Sequence, residues 1–196
     1  MLTLTDILDV RAYERVREDE RRRIMDLKSR RRVHIGTVVS LVFESRDTMW
    51  FQVQEMARAE KIHTDEAIQV ELDVYNPLIP SGGQLSATLF IECTSDDQLR
   101  TWLPKLVGIE RSIELHIGEG NDVRVSRCVP EAAHAAQLTR EEITSAVHYV
   151  FFPVGAEYAD ALRNGPARLV VTHSDYLEVT ELGDGTRNEL ANDLSA

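Results

Sequence analysis

Apolar positions follow a helical spacing in the first part of the chain and a period of two further on. Residues 6–32 predict a helix in one or two pieces, with the acid-to-base pairs Glu18/Arg22, Asp19/Arg23 and Asp26/Arg30 in the favourable i, i+4 order. That pairing leaves Arg21, Lys28, Arg31 and Arg32 without a local partner. Residues 38–44 (VVSLVFE) have the β-branched and aromatic content of a strand. Ser45 and Asp47 then supply a cap and a first-turn acid for a helix to about Lys61. Thr64, Asp65 and Glu66 start another that ends near Tyr75, before the breakers Asn76-Pro77 and Pro80-Ser-Gly-Gly. Next, Leu85, Ala87, Leu89 and Ile91 alternate with Ser86, Thr88, Phe90 and Glu92, the pattern of a half-buried strand.

A helix over 95–106 follows, then a β-hairpin whose turn is Gly118-Glu-Gly-Asn. Strands are expected at 145–152, 167–172 and 176–181, with a helix over 155–163 between the first two. Residues 183–196 read as a polar tail with a short helix at 188–194. The fold class is therefore α+β: one domain over 1–182, its helix-rich N-terminal part packed on a mostly antiparallel β-sheet.

Composition narrows the function. With 196 residues, 43% of them hydrophobic, the chain can bury one sizeable core. No apolar run approaches the roughly 18 residues of a spanning helix. The N-terminal stretch puts acids where an export signal needs basic and then apolar residues, so a cytoplasmic protein is expected. Two cysteines, Cys93 and Cys128, are too few for an iron–sulfur cluster or a four-cysteine zinc site, and no cofactor is expected. The net charge is -11, yet residues 1–62 carry a net +2, and residues 21–32 hold seven basic side chains against Asp26. Such a field argues against general nucleic-acid binding while leaving room for a local anion at Arg30–Arg32.

Two acids stand where core side chains belong. On a wheel of about 100° per residue, Glu60 falls inside the stripe of Met49, Val53, Met56 and Ala57. Glu71 falls inside the arc of Ala67, Ile68, Val70, Leu72, Val74 and Tyr75. A carboxylate in apolar surroundings costs several kcal/mol unless it is paired or hydrogen-bonded. Four outcomes are open: a guanidinium partner, a metal, a retained proton, or a face that is wet after all. Arg30, Arg31, Arg32, Arg46 and Arg58 are the available forks. The metal alternative would gather Glu60, Glu71, Glu92 and His148, although no helix carries a Glu-x-x-His or His-x-x-x-His pair. The remaining histidines, His34, His63, His116, His134 and His173, are scattered. Nucleophile elbows, Walker loops and zincin motifs do not occur.

Several blocks in one order carry a resemblance: Phe43-Glu-Ser-Arg-Asp-Thr48; Gln52-Val-Gln-Glu-Met56 with Arg58 and Glu60; Glu71-Leu72 with Tyr75-Asn76 and Leu78-Ile-Pro80; Leu85-Ser-Ala-Thr-Leu89 with Ile91-Glu92; and Thr144-Ser-Ala-Val-His148. From Leu4 to about Tyr176 the chain resembles the bacterial family known as domain of unknown function 3501. The resemblance adds Gln52 to the candidate network but implies no catalytic chemistry. It implies an association with rubrerythrin-like di-iron proteins and iron–sulfur reductase subunits, hence an accessory role in redox or peroxide defence. The residues leave three function classes open: a non-catalytic accessory or binding protein, an enzyme with a carboxylate/His site, and a phosphate- or nucleotide-binding module. A homodimer is compatible with acids on helix faces.

Overall fold

Asp9 caps the long first helix, α1 (Val10–Arg31), by accepting the Ala12 amide, and the chain turns directly from Arg31 into strand β1 (Arg32–Ile35). The computed structural model describes residues 1–132 and 143–195. The helix expected over 6–32 thus yields its last residue to β1, because Val33 and Ile35 point into the core with strand periodicity. Strand β2 (Val39–Phe43) leads to α2 (Arg46–Ala59), with Ser45 as its N-cap, and Thr64 caps α3 (Asp65–Tyr75). Strand β3 (Gln84–Ile91) and α4 (Asp96–Lys105) follow. Then come β4 (Ile113–Ile117), β5 (Arg124–Arg127), β6 (Val129–Pro130) and β7 (Val147–Pro153). Helix α5 (Ala159–Asn164), β8 (Ala167–His173), β9 (Tyr176–Glu181) and α6 (Asp184–Leu194) complete the described residues.

The strands form two antiparallel sheets, ordered β1-β2-β3-β7-β6 and β5-β4-β8-β9. Register fixes the faces. Leu41, Leu89 and His148 stand side by side across β2, β3 and β7, as do Phe43, Ala87 and Val150. This face meets Ile113, Leu115, Leu169 and Val171 of the second sheet in the main core. The opposite face of the first sheet carries Ser40, Ser86, Thr88, Phe90, Val147, Tyr149 and Phe151. Helices α2 and α3 cover it through a smaller core of Met49, Val53, Leu72, Tyr75 and Leu78, with Tyr149 and Phe151 packed against it.

Strand β3 is consequently buried on both faces, not half-buried as its alternation implied. It is the middle strand of five, and the small hydroxyl residues Ser86 and Thr88 fit beneath the helices. The polar tail, expected to hold a short helix at 188–194, forms the longer α6, which packs on α5 and α1 and buries Leu190, Ala191 and Leu194. Among the described residues, no helix is long and apolar enough to cross a membrane.

Tyr176 ties the two sheets together. Its hydroxyl donates to the Ile35 carbonyl (2.7 Å) and accepts from the amides of Thr37 (2.8 Å) and Val38 (3.0 Å) in the β1–β2 turn. Gly36 makes room for this. Its φ of +66° lies in the left-handed region, and a Cβ there would sit 2.5 Å from the Tyr176 hydroxyl.

Candidate functional site

The buried ion network exists, but not around the expected glutamates. Glu60 is the C-cap residue of α2 and is exposed, because the helix ends there and the wheel no longer applies. Glu71 is half-buried, and none of the described arginines pairs with it. Burial, and then the charge of Glu60, push the Glu71 carboxyl above its ordinary value. The two acids oppose each other instead of sharing a guanidinium. A raised carboxyl pKa means that the ionised form is disfavoured in the fold. The resulting cost is fully present above the folded pKa and disappears as pH falls below the unfolded value. Glu71→Gln is therefore expected to raise the melting temperature at pH 7–8, with the gain vanishing at about pH 3.5. Melts at the two pH values check this, and a gain that persists in acid would contradict it.

The buried guanidinium is that of Arg31, at the end of α1 and only 3% exposed. It grips Asp193 of α6 with both terminal nitrogens (2.7 and 2.9 Å), reaches Glu189 at 3.3 Å, and donates to the Glu44 backbone carbonyl at 3.1 Å. Burial raises the Asp193 carboxyl against the pull of Arg31. The other expected forks are spent elsewhere. Arg30 pairs with Asp26 and Glu189; Arg32 with Glu92; Arg46 with Asp6; Arg58 with Glu14. Three of those four reach surface acids, and an anion at Arg30–Arg32 would have to displace carboxylates already bound.

The four residues of the metal alternative do not converge. His148 lies inside the sandwich, bonded to Thr144 (2.8 Å) and the Ser145 carbonyl (3.0 Å), and burial lowers its pKa. Glu92 bonds Ser40 and Arg32 on the other side of the sheet. The described residues contain no cluster of three His, Cys, Asp or Glu able to hold a metal. His134 lies outside the described residues. Cys128 is an inert thiol: it donates to the Glu110 carbonyl, and burial pushes it up to about 12.

A different acid is dry. Glu44, the residue after β2, is 4% exposed, and its two oxygens accept from Thr48 (2.6 Å) and Thr88 (2.5 Å). No described cation pairs with it. It forms the floor of a cleft of 160 Å³ between α1, α2, α3 and the hydroxyl-bearing face of the first sheet. Half-buried Lys28 of α1, Gln52 of α2 and Tyr75 of α3 line it, together with Thr88 and Tyr149 of the sheet. Gln52 donates to the Tyr75 hydroxyl at 3.4 Å. Burial raises both phenols, aided at Tyr149 by Tyr75 and Glu44 and at Tyr75 by Glu71 and Glu60, so each keeps its proton. Of the expected site residues, the structure brings only Gln52 into this cleft. Glu71 stands one helical turn before Tyr75 and acts on it through its field. Lys28 was legible as an unpaired base, whereas Glu44, Tyr75 and Tyr149 carry no periodic signal marking them as a site.

The same architecture occurs elsewhere. The family model described as "Protein of unknown function (DUF3501)" matches residues 1–194. This chain belongs to that family. A solved structure, a novel protein of unknown function from Burkholderia pseudomallei, is similar over 98% of both chains, with 35% identity and a TM-score of 0.87. No curated protein matches. The DUF3501 fold is thus shared over 98% of its length by a protein of unknown function.

Proposed function

We propose that this DUF3501 member is a non-catalytic binding protein that takes a small polar solute between its helical layer and its first sheet. One observation carries this: a buried carboxylate with no cation among the described residues, Glu44, is held ready at the floor of an open cleft. Several kcal/mol are required to keep such a group dry, and packing alone gives no reason to place it there. The lining suits recognition better than chemistry. Both Glu44 oxygens are fixed by threonine hydroxyls, the phenols keep their protons, and among the described residues neither cysteine nor histidine lines the cleft. The redox setting is carried by the family association alone, with rubrerythrin-like and iron–sulfur reductase proteins as the partners it suggests.

Filling the cleft tests the reading. Val147 is half-buried at its edge, so Val147→Trp occupies the space without touching the main core. A solute at about 100 times its Kd stabilises by about 2.7 kcal/mol, which in a chain of this size is roughly 5–10 °C. A panel of small polar solutes is expected to contain members that shift the wild-type melt by that amount and leave folded Val147→Trp unmoved. Equal shifts in both proteins, or none in either, would overturn the reading.

A further inference from the structure

We infer that the occupant is a small zwitterion, its amine seated on Glu44 and its acid group directed toward Lys28; this rests on the cleft being a binding site. The two charges are the starting point. Arg22, Arg23, Arg30, Arg31 and Arg32 of the basic segment all pair with acids, whereas Arg21 and Lys28 pair with none of the described residues, and of those two only Lys28 lines the cleft. Glu44 is equally without a cation among the described residues, since the terminal nitrogens of the neighbouring Arg31 fork reach only its backbone carbonyl, Asp193 and Glu189. Both unpaired charges line one cleft, yet they do not reach each other. A neutral solute would leave both uncompensated, and a simple amine or acid would leave one.

The walls fit the same ligand. Each Glu44 oxygen accepts a single hydroxyl and keeps capacity for an ammonium hydrogen. Tyr75 and Tyr149 bring aromatic rings suited to a cation into the lining, and Met49, Phe90 and Val147 add apolar surface for a short carbon chain. Size sets the class. A cavity of about 150 Å³ holds a benzene, so 160 Å³ admits about six to eight non-hydrogen atoms, the size of an amino acid of three to five carbons.

The rival is that Lys28 folds inward and neutralises Glu44 itself. Calorimetric titration of the full chain separates the two, using L-norvaline and 5-aminovalerate as zwitterionic probes and butylamine and butyrate as single-charge controls. At least one zwitterion is expected to bind saturably and at least tenfold more tightly than either control. Glu44→Gln is expected to weaken it at least 30-fold. Lys28→Met, a substitution at a half-buried position that leaves Glu44 in place, is expected to reduce the zwitterion to the affinity of butylamine. Zwitterions no better than the controls would overturn the proposal, as would tighter zwitterion binding to Lys28→Met. If butylamine or butyrate alone binds, and Val147→Trp abolishes it, the zwitterion fails while the binding site stands. If no probe binds and the solute panel also gives no shift, both fail together.

Discussion

Arg31→Ala is expected to destabilise the protein by about 3–5 kcal/mol, the usual cost of removing one partner from a buried ion pair. The loss strands three groups at once: Asp193 loses both of its guanidinium bonds, Glu189 loses one, and the Glu44 carbonyl loses a donor. These contacts span up to 162 residues of sequence and hold α6 against the end of α1. Lysine is no substitute, because one ammonium cannot make the parallel bonds to both Asp193 oxygens. The pair Arg31→Met/Asp193→Leu is expected to recover most of the loss, since burying neither charge avoids the desolvation of both. Denaturant melts of the three variants check this. Equal destabilisation of the single and double variants would show that packing, not charge, holds α6.

Tyr176→Phe is expected to cost about 2–4 kcal/mol although it deletes one oxygen. The ring, and its edge contact with Trp102 at 5.7 Å, stay in place. What goes is the acceptor for the Thr37 and Val38 amides and the donor to the Ile35 carbonyl. Each buried backbone group left unsatisfied costs about 1–3 kcal/mol, and Val38 and Ile35 are both buried. The β1–β2 turn loosens from β9, so amide exchange should rise first at Thr37 and Val38. A melt within about 0.5 kcal/mol of wild type, the range of an ordinary surface substitution, would mean that water replaces the hydroxyl.

Local chemistry made much of the fold legible. Ser45 and Thr64 cap the helices their positions announce, and the alternation around Leu85–Ile91 marks the central strand. The site was harder to read because its determinants are tertiary. A wheel places Glu60 correctly only while the helix continues, and it stops one residue earlier. Glu71 does face partly inward, but an isolated wheel cannot show that its neighbour is another acid. Glu44 ends an apolar strand, where an acid looks like an ordinary exit to solvent. Only Thr88, 44 residues away, and the α2–α3 layer make that position dry. Lys28 becomes informative only through its place in the cleft lining, after most of the surrounding arginines have found partners, several of them far along the chain.

The most direct measurement of the central claim, that solutes enter the cleft above Glu44, is a titration followed through side-chain methyl resonances. Met49 and Val147 both line the cleft. Added L-norvaline or 5-aminovalerate should move their signals along a saturable curve, with distant methyls such as Val171 and Leu177 unchanged. Shifts that grow linearly with concentration, or appear only away from Met49 and Val147, would contradict the account.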